Sequence, residues 1–284
     1  PTFNGAKEIL QFGSWITMAN AFSVLSIEMR KLSLGSFANT EVVAYYDRAE
    51  QIPRLVNEAI LLPSTKVLLP HFSSKTRKGE SILRDFKYTI CSFACLMWPP
   101  LGIIGIFPEF FVFALFGGQW GYTVGILPYL LLSWAFVSAI PHPATVLVPL
   151  GMTRTLALSQ LACAVYVAVL CITSLLNSVD TFFKVQPLIG FGIFFIQFMS
   201  MRRAVKITYK TFISCFWKPI IVTFCTCIPA IFYATLRGSD IGFWNMLFVS
   251  GACFLVWLAS IFALNTPLVG PIKRVWESYL KYII

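Results

Sequence analysis

The stretch YYDRAEQIPRLVNEAILLPSTKVLLPHFSS, Tyr45 to Ser74, decides how this chain is read. Its second half is apolar enough for a membrane, yet the segment carries Asp47, Arg48, Arg54, Glu58 and Lys66. On a helical wheel at about 100° per residue, these charges and Gln51 fall within an arc of about 120°. Ile52, Val56, Ala59, Ile60 and Val67 occupy the opposite side. Each ion facing lipid costs at least about 2.5–3.5 kcal/mol. The stripe is therefore expected to face other helices or a water-filled cavity. Arg54 and Glu58, four residues apart, can pair. Arg48 and Lys66, nearer the ends, can reach the interface along their aliphatic stems. A weaker polar face, Asn20, Ser23, Ile27 and Lys31, lies on the preceding helix.

The rest of the chain supports a membrane setting. Of 284 residues, 57% are hydrophobic and only 12% charged, with 27 phenylalanines. The mean hydropathy is +0.76. A water-soluble domain carries about 25% charged residues, so this composition points to an all-α, polytopic transmembrane bundle. Eight spans are expected, near residues 9–28, 46–69, 87–107, 123–149, 155–176, 183–200, 212–235 and 243–265. Together they make residues 1–284 one transmembrane bundle. PEFFVFALFGGQW is too short to span and is expected at the membrane surface, with Trp120 at headgroup level. Residues 268–284, with Trp276, Tyr279, Leu280 and Ile283 at helical spacing, are expected to form an interfacial amphipathic tail.

The net charge of +10 raises nucleic acid as a partner, but loop charge accounts for it. Fourteen of the 22 lysines and arginines fall in loops on one side of these spans and five on the other. That bias places both chain ends in the cytoplasm. The eight cysteines lie in apolar spans without clusters of His, Asp or Glu, so neither metal nor other cofactor is expected. No Gly-rich phosphate loop supports direct ATP use. Proline recurs inside the spans, most densely as IPHPATVLVP, where His142 sits between Pro141 and Pro143. Bent helices are frequent in transporters, and His142 is an intramembrane titratable group. With Glu58 and Asp47 it is a candidate for ion coupling. Arg48, Arg54, Lys66, Lys31 and Gln51 are the candidate substrate contacts, because guanidinium and ammonium groups attract phosphate.

The ordered segments FGSWITMANAFSVLS, VAYYDRAEQIPRLVNEAI with KVLLPHFSS, PLGIIGIFPEFFVFALFGGQW and LPYLLLSWAF resemble those of Wzx-type polysaccharide flippases. These belong to the multidrug, oligosaccharidyl-lipid and polysaccharide exporter superfamily, and the likeness is greatest to the colanic acid and exopolysaccharide branch. It covers roughly residues 8–160. It implies a two-lobed bundle in which this chain, beginning at Pro1, is the C-terminal lobe followed by two further helices. The N-terminal lobe of the same protein would be its missing partner. The implied activity is movement of a polyprenyl-diphosphate-linked oligosaccharide across the bacterial inner membrane. Alternating access would do this, coupled to an ion gradient, in lipopolysaccharide or exopolysaccharide biosynthesis. Arg48 matches the arginine of the family's YxRA position. The rival readings are a multidrug or toxin cation antiporter of the same superfamily, a membrane polysaccharide polymerase or ligase, and a structural membrane subunit. The stripe, basic on balance, argues against the antiporter. No long outer loop bearing Arg and His supports the enzyme.

Overall fold

Three prolines do not break the charged helix. The computed structural model describes residues 6–238 and 241–270, and in it Pro53, Pro63 and Pro70 all lie inside one helix, α2 (Thr40–Arg77). Asn39 starts it by accepting a hydrogen bond from the Val42 amide at 3.0 Å. Lys75 and Arg77 sit in its last turn, where the helix dipole favours cations. Its 38 residues span about 57 Å, well beyond the roughly 30 Å of hydrocarbon.

The other elements are α1 (Ala6–Phe37), α3 (Leu83–Ile106), α4 (Pro108–Phe116), α5 (Gly121–Val137), α6 (Pro143–Leu147), α7 (Thr153–Leu175), α8 (Val179–Val205), α9 (Tyr209–Ile213), α10 (Trp217–Arg237) and α11 (Phe243–Ala263). A short 3-10 turn, Gly118–Trp120, precedes α5. Among the described residues there is no strand. The fold is a polytopic helical bundle. Six segments are long and apolar enough to cross a membrane: Leu83–Ile106, Gly118–Val137, Thr153–Leu175, Val179–Val205, Tyr209–Arg237 and Phe243–Ala263. α1 and α2 are longer still but too polar to meet that standard, and part of their polar residues line an internal cavity. The chain is an integral membrane protein by these six helices.

One expectation needs correction. The span expected over residues 123–149 is interrupted. α5 ends at Val137, residues 138–142 form a turn, and α6 follows as a separate short helix. Pro141 and Pro143 explain the break: each lacks an N–H, and each biases the residue before it away from helix. The face of α2 opposite the charged stripe lies partly inside the bundle. Ile52 is buried and packs with Leu101, Ile104, Leu127 and Leu131 of α3 and α5. The tail expected over residues 268–284 lies outside the described residues beyond Gly270.

α1 packs along α7, α5 and α7 pack on α8, and α10 packs on α3 and α11. Close approach of α8 needs small residues. A Cβ on Gly190 would lie 2.4 Å from the Ser133 carbonyl oxygen, so only glycine lets α8 reach α5 there. Indole N–H groups tie helices to neighbouring backbones: Trp98 donates to the Ala135 carbonyl at 2.8 Å and Trp257 to the Cys95 carbonyl at 3.0 Å. α6 plugs one end of the bundle. Its Val146 and Leu147 join Phe72 of α2, Leu156 of α7, and Phe198 and Met201 of α8 in a buried cluster.

Candidate functional site

The charges of α2 divide among three places. One group joins α1 to α2. Arg30 on α1 lies 3.6 Å from Glu50 on α2, and both side chains are buried. Beside them Lys31 pairs with Asp47 and lies 4.0 Å from the second Glu50 oxygen. Two cations and two carboxylates thus form an ionic clasp. Buried charges are tolerated only when paired, so the buried Arg30 and Glu50 depend on each other, while Lys31 and Asp47 pair at the partly exposed edge. Aromatic side chains surround the clasp: Tyr46, fully buried, packs on Phe182 and Phe183.

A second group faces elsewhere. Arg48 bonds to Gln51 at 3.0 Å and lies 5.5 Å from the Phe116 ring centre and 5.3 Å from that of Trp120. Arg48 therefore addresses α4 and the turn after it in a cation–π contact, with Gln51 as its hydrogen-bond acceptor. Trp120 also packs edge-on to Tyr45 at 5.6 Å. Glu58 and Lys66 are exposed and line no internal space with the others. Arg54 and Glu58 are not within ion-pair distance among the described residues, contrary to their spacing. An arginine placed four residues before a glutamate is the weaker orientation for such a pair, and Arg54 turns inward instead.

The third place is a cavity of about 430 Å³. It lies between the clasp and the α6 plug, with walls from α1, α2, α5, α7 and α8. Arg54 and Asn57 enter from α2, Ser26 and Glu28 from α1, Trp134 from α5, and Gln160 from α7. Gln197 of α8 and His142 complete the polar lining. His142 sits in the α5–α6 turn, where its Nδ1 accepts from the Ala144 amide at 3.3 Å and caps α6. Arg30 and Glu50 of the clasp border the same space. Ile27 and Glu28 are exposed lining residues, so the cavity opens on the side between α1 and α2, which touch little along their lengths.

Two features define its chemistry. Arg54 makes no ion pair or hydrogen bond among the described residues, so its guanidinium donors remain available within the cavity. Four buried polar atoms on lining residues also have no hydrogen-bond partner there: Arg30 Nε, Glu50 Oε2, Ser133 Oγ and Trp134 Nε1. Buried polar atoms are rarely left so. The cavity's formal charge is balanced, two arginines against Glu28 and Glu50.

Of the residues singled out in the sequence, Arg54 and His142 therefore meet in the cavity. Lys31 and Asp47 stand in the clasp. Arg48, Gln51, Glu58 and Lys66 lie elsewhere. The buried Arg30–Glu50 pair escaped the sequence reading. Arg30 looked like part of a helix end, EMRK, and Glu50 falls near 260° on the wheel, outside the charged arc. Among the described residues no group of three metal-ligating side chains occurs.

A membrane bundle with a polar, partly unsatisfied cavity defines the class of protein. Residues 1–125 match the model of a family described as polysaccharide biosynthesis protein. That match spans α1 to α4 and the start of α5, and so includes the clasp and both α1 and α2 walls of the cavity. No curated protein and no solved structure matches the chain.

Proposed function

We propose that this protein is a transporter, one lobe of a flippase that moves a polyprenyl-diphosphate-linked oligosaccharide across the bacterial inner membrane, both chain ends lying in the cytoplasm. The observation that carries this reading is the cavity in which Arg54, without a partner among the described residues, stands among hydrogen-bonding side chains. Guanidinium binds phosphate through paired hydrogen bonds. Asn57, Gln160 and Gln197 offer the amide donors and acceptors that sugar hydroxyls need, and Trp134 offers an aromatic face. A membrane protein similar over residues 1–125 to a polysaccharide biosynthesis family has reason to keep such a site. The clasp closes one end of the cavity and the α6 plug the other, so alternating access requires each to yield in turn. The open side between α1 and α2 is where a second helical lobe would complete the cavity. His142, hinged beside the plug, and Glu28 are the titratable groups placed to couple an ion to that motion.

A second reading is a cation antiporter of the same architecture. Glu28 and Glu50 in the cavity favour it, since they balance the two arginines.

Deleting the gene in its host and extracting the lipid-linked oligosaccharides separates the two. A flippase predicts build-up of the cytoplasm-facing intermediate, cured by the wild type and not by Arg54→Ala. Normal lipid-linked sugar with altered resistance to cationic drugs would sink the flippase and favour the antiporter.

A further inference from the structure

A second concavity lies away from the cavity beside Arg54. It is a groove of about 1380 Å³ at the ends of three membrane helices. Arg84 and Lys87 come from the first turns of α3, Ser214 precedes α10, Trp217 and Lys218 begin α10, and Asn265 follows α11. Among the described residues no carboxylate lines it. The nearest acid in sequence, Asp85, is engaged on the other side of α3, 2.6 Å from Lys75 and 3.6 Å from His71. Lys87 and Lys218 are half-buried. Lys218 donates to the Asn265 carbonyl at 3.0 Å, and Lys87 has no ion pair or hydrogen bond among the described residues. Arg84 lies over Tyr88, at 5.5 Å from its ring centre. Among the described residues, three cations thus share a polar groove without a counter-charge, at the ends of three membrane helices. Further along α10, the apolar side chains of Ile220, Ile221 and Phe224 are exposed.

We propose that this groove is a binding site for the phosphate headgroup of an anionic phospholipid, whose acyl chains lie along α10. The groove's cations beside the exposed apolar side chains of α10 suit a ligand anionic at one end and apolar at the other. Basic pockets between membrane helices bind lipid headgroups on this principle. The inference does not depend on what the transport cavity carries.

The test uses protein purified from its host into nanodiscs of phosphatidylcholine with a minority of phosphatidylglycerol, followed by native mass spectrometry through graded delipidation. Wild type is expected to retain phosphatidylglycerol in preference to phosphatidylcholine. Each cation near an anionic headgroup is worth about fivefold, so Arg84→Gln, Lys87→Gln and Lys218→Gln together are expected to weaken retention roughly a hundredfold. A control triple, Arg77→Gln, Arg203→Gln and Lys210→Gln, removes the same charge from exposed positions and is expected to leave retention unchanged. Equal loss in both triples overturns the proposal in favour of general surface charge. So does unchanged retention in the groove variant. Displacement of the lipid by inorganic phosphate alone would overturn the lipid and leave a phosphate site. If the triple variant does not fold, Lys87→Gln alone is expected to weaken retention about fivefold, and no change there overturns the proposal.

Discussion

At one end of the bundle Arg30 and Lys31 meet Glu50 and Asp47; at the other, Arg84, Lys87 and Lys218 line a groove that, among the described residues, no carboxylate enters. Between these extremes lies Arg54, in a cavity whose charges balance but where it has no partner within ion-pair distance. The residue types are the same in all three places. What separates them is whether the protein supplies the counter-charge. Where it does, the cation holds two helices together. Where it does not, the cation is available to something outside the chain.

That contrast can be broken, first at the clasp. Removing one partner of a buried ion pair leaves the other uncompensated, at about 3–5 kcal/mol. Arg30→Ala or Glu50→Ala is expected to lower the unfolding temperature in detergent sharply, and transport falls with it. Arg54→Ala is expected to behave in the opposite way. Loss of a charged hydrogen-bonding group toward substrate, about 1.5–3 kcal/mol, predicts a 10- to 100-fold slower clearance of the lipid-linked intermediate, with unfolding unchanged. Gly190→Ala forces a Cβ against the Ser133 carbonyl. Overpacking of that kind costs about 1–3 kcal/mol, and because Ser133 lines the cavity, both stability and transport are expected to drop. Arg48→Gln removes a contact with Phe116 and Trp120 worth about 0.5–1 kcal/mol. A small fall in unfolding temperature with near-normal transport is expected; a transport defect as large as that of Arg54→Ala would return Arg48 to the substrate path. Glu58→Ala and Lys66→Ala, both exposed, are expected to change stability by less than about 0.5 kcal/mol.

Much of the bundle was legible in the sequence. Apolar runs located the long helices, because a membrane helix needs about 20 such residues. The charged wheel of α2 picked out Arg54, and paired prolines marked the turn that presents His142. Partners were not legible. A wheel assigns an angle to Arg48 but cannot say that α4, some 60 residues on, brings Phe116 there. Arg30 is paired with Glu50 because α1 and α2 run back on each other across a two-residue connection, a register that hydropathy does not reveal. The groove is further still from sequence reasoning, since Lys87 and Lys218 come together only through the packing of α3 on α10.

The central claim is that the substrate enters the cavity beside Arg54. The most direct measurement places a thiol there, Asn57→Cys, in protein purified from its host. Its rate of labelling by a hydrophilic maleimide is then followed with and without polyprenyl-diphosphate-linked oligosaccharide, against the wild type as background. The account predicts labelling in the absence of the lipid-linked sugar and strong protection in its presence, with protection abolished by adding Arg54→Ala. Equal labelling rates with and without the lipid-linked sugar would contradict it.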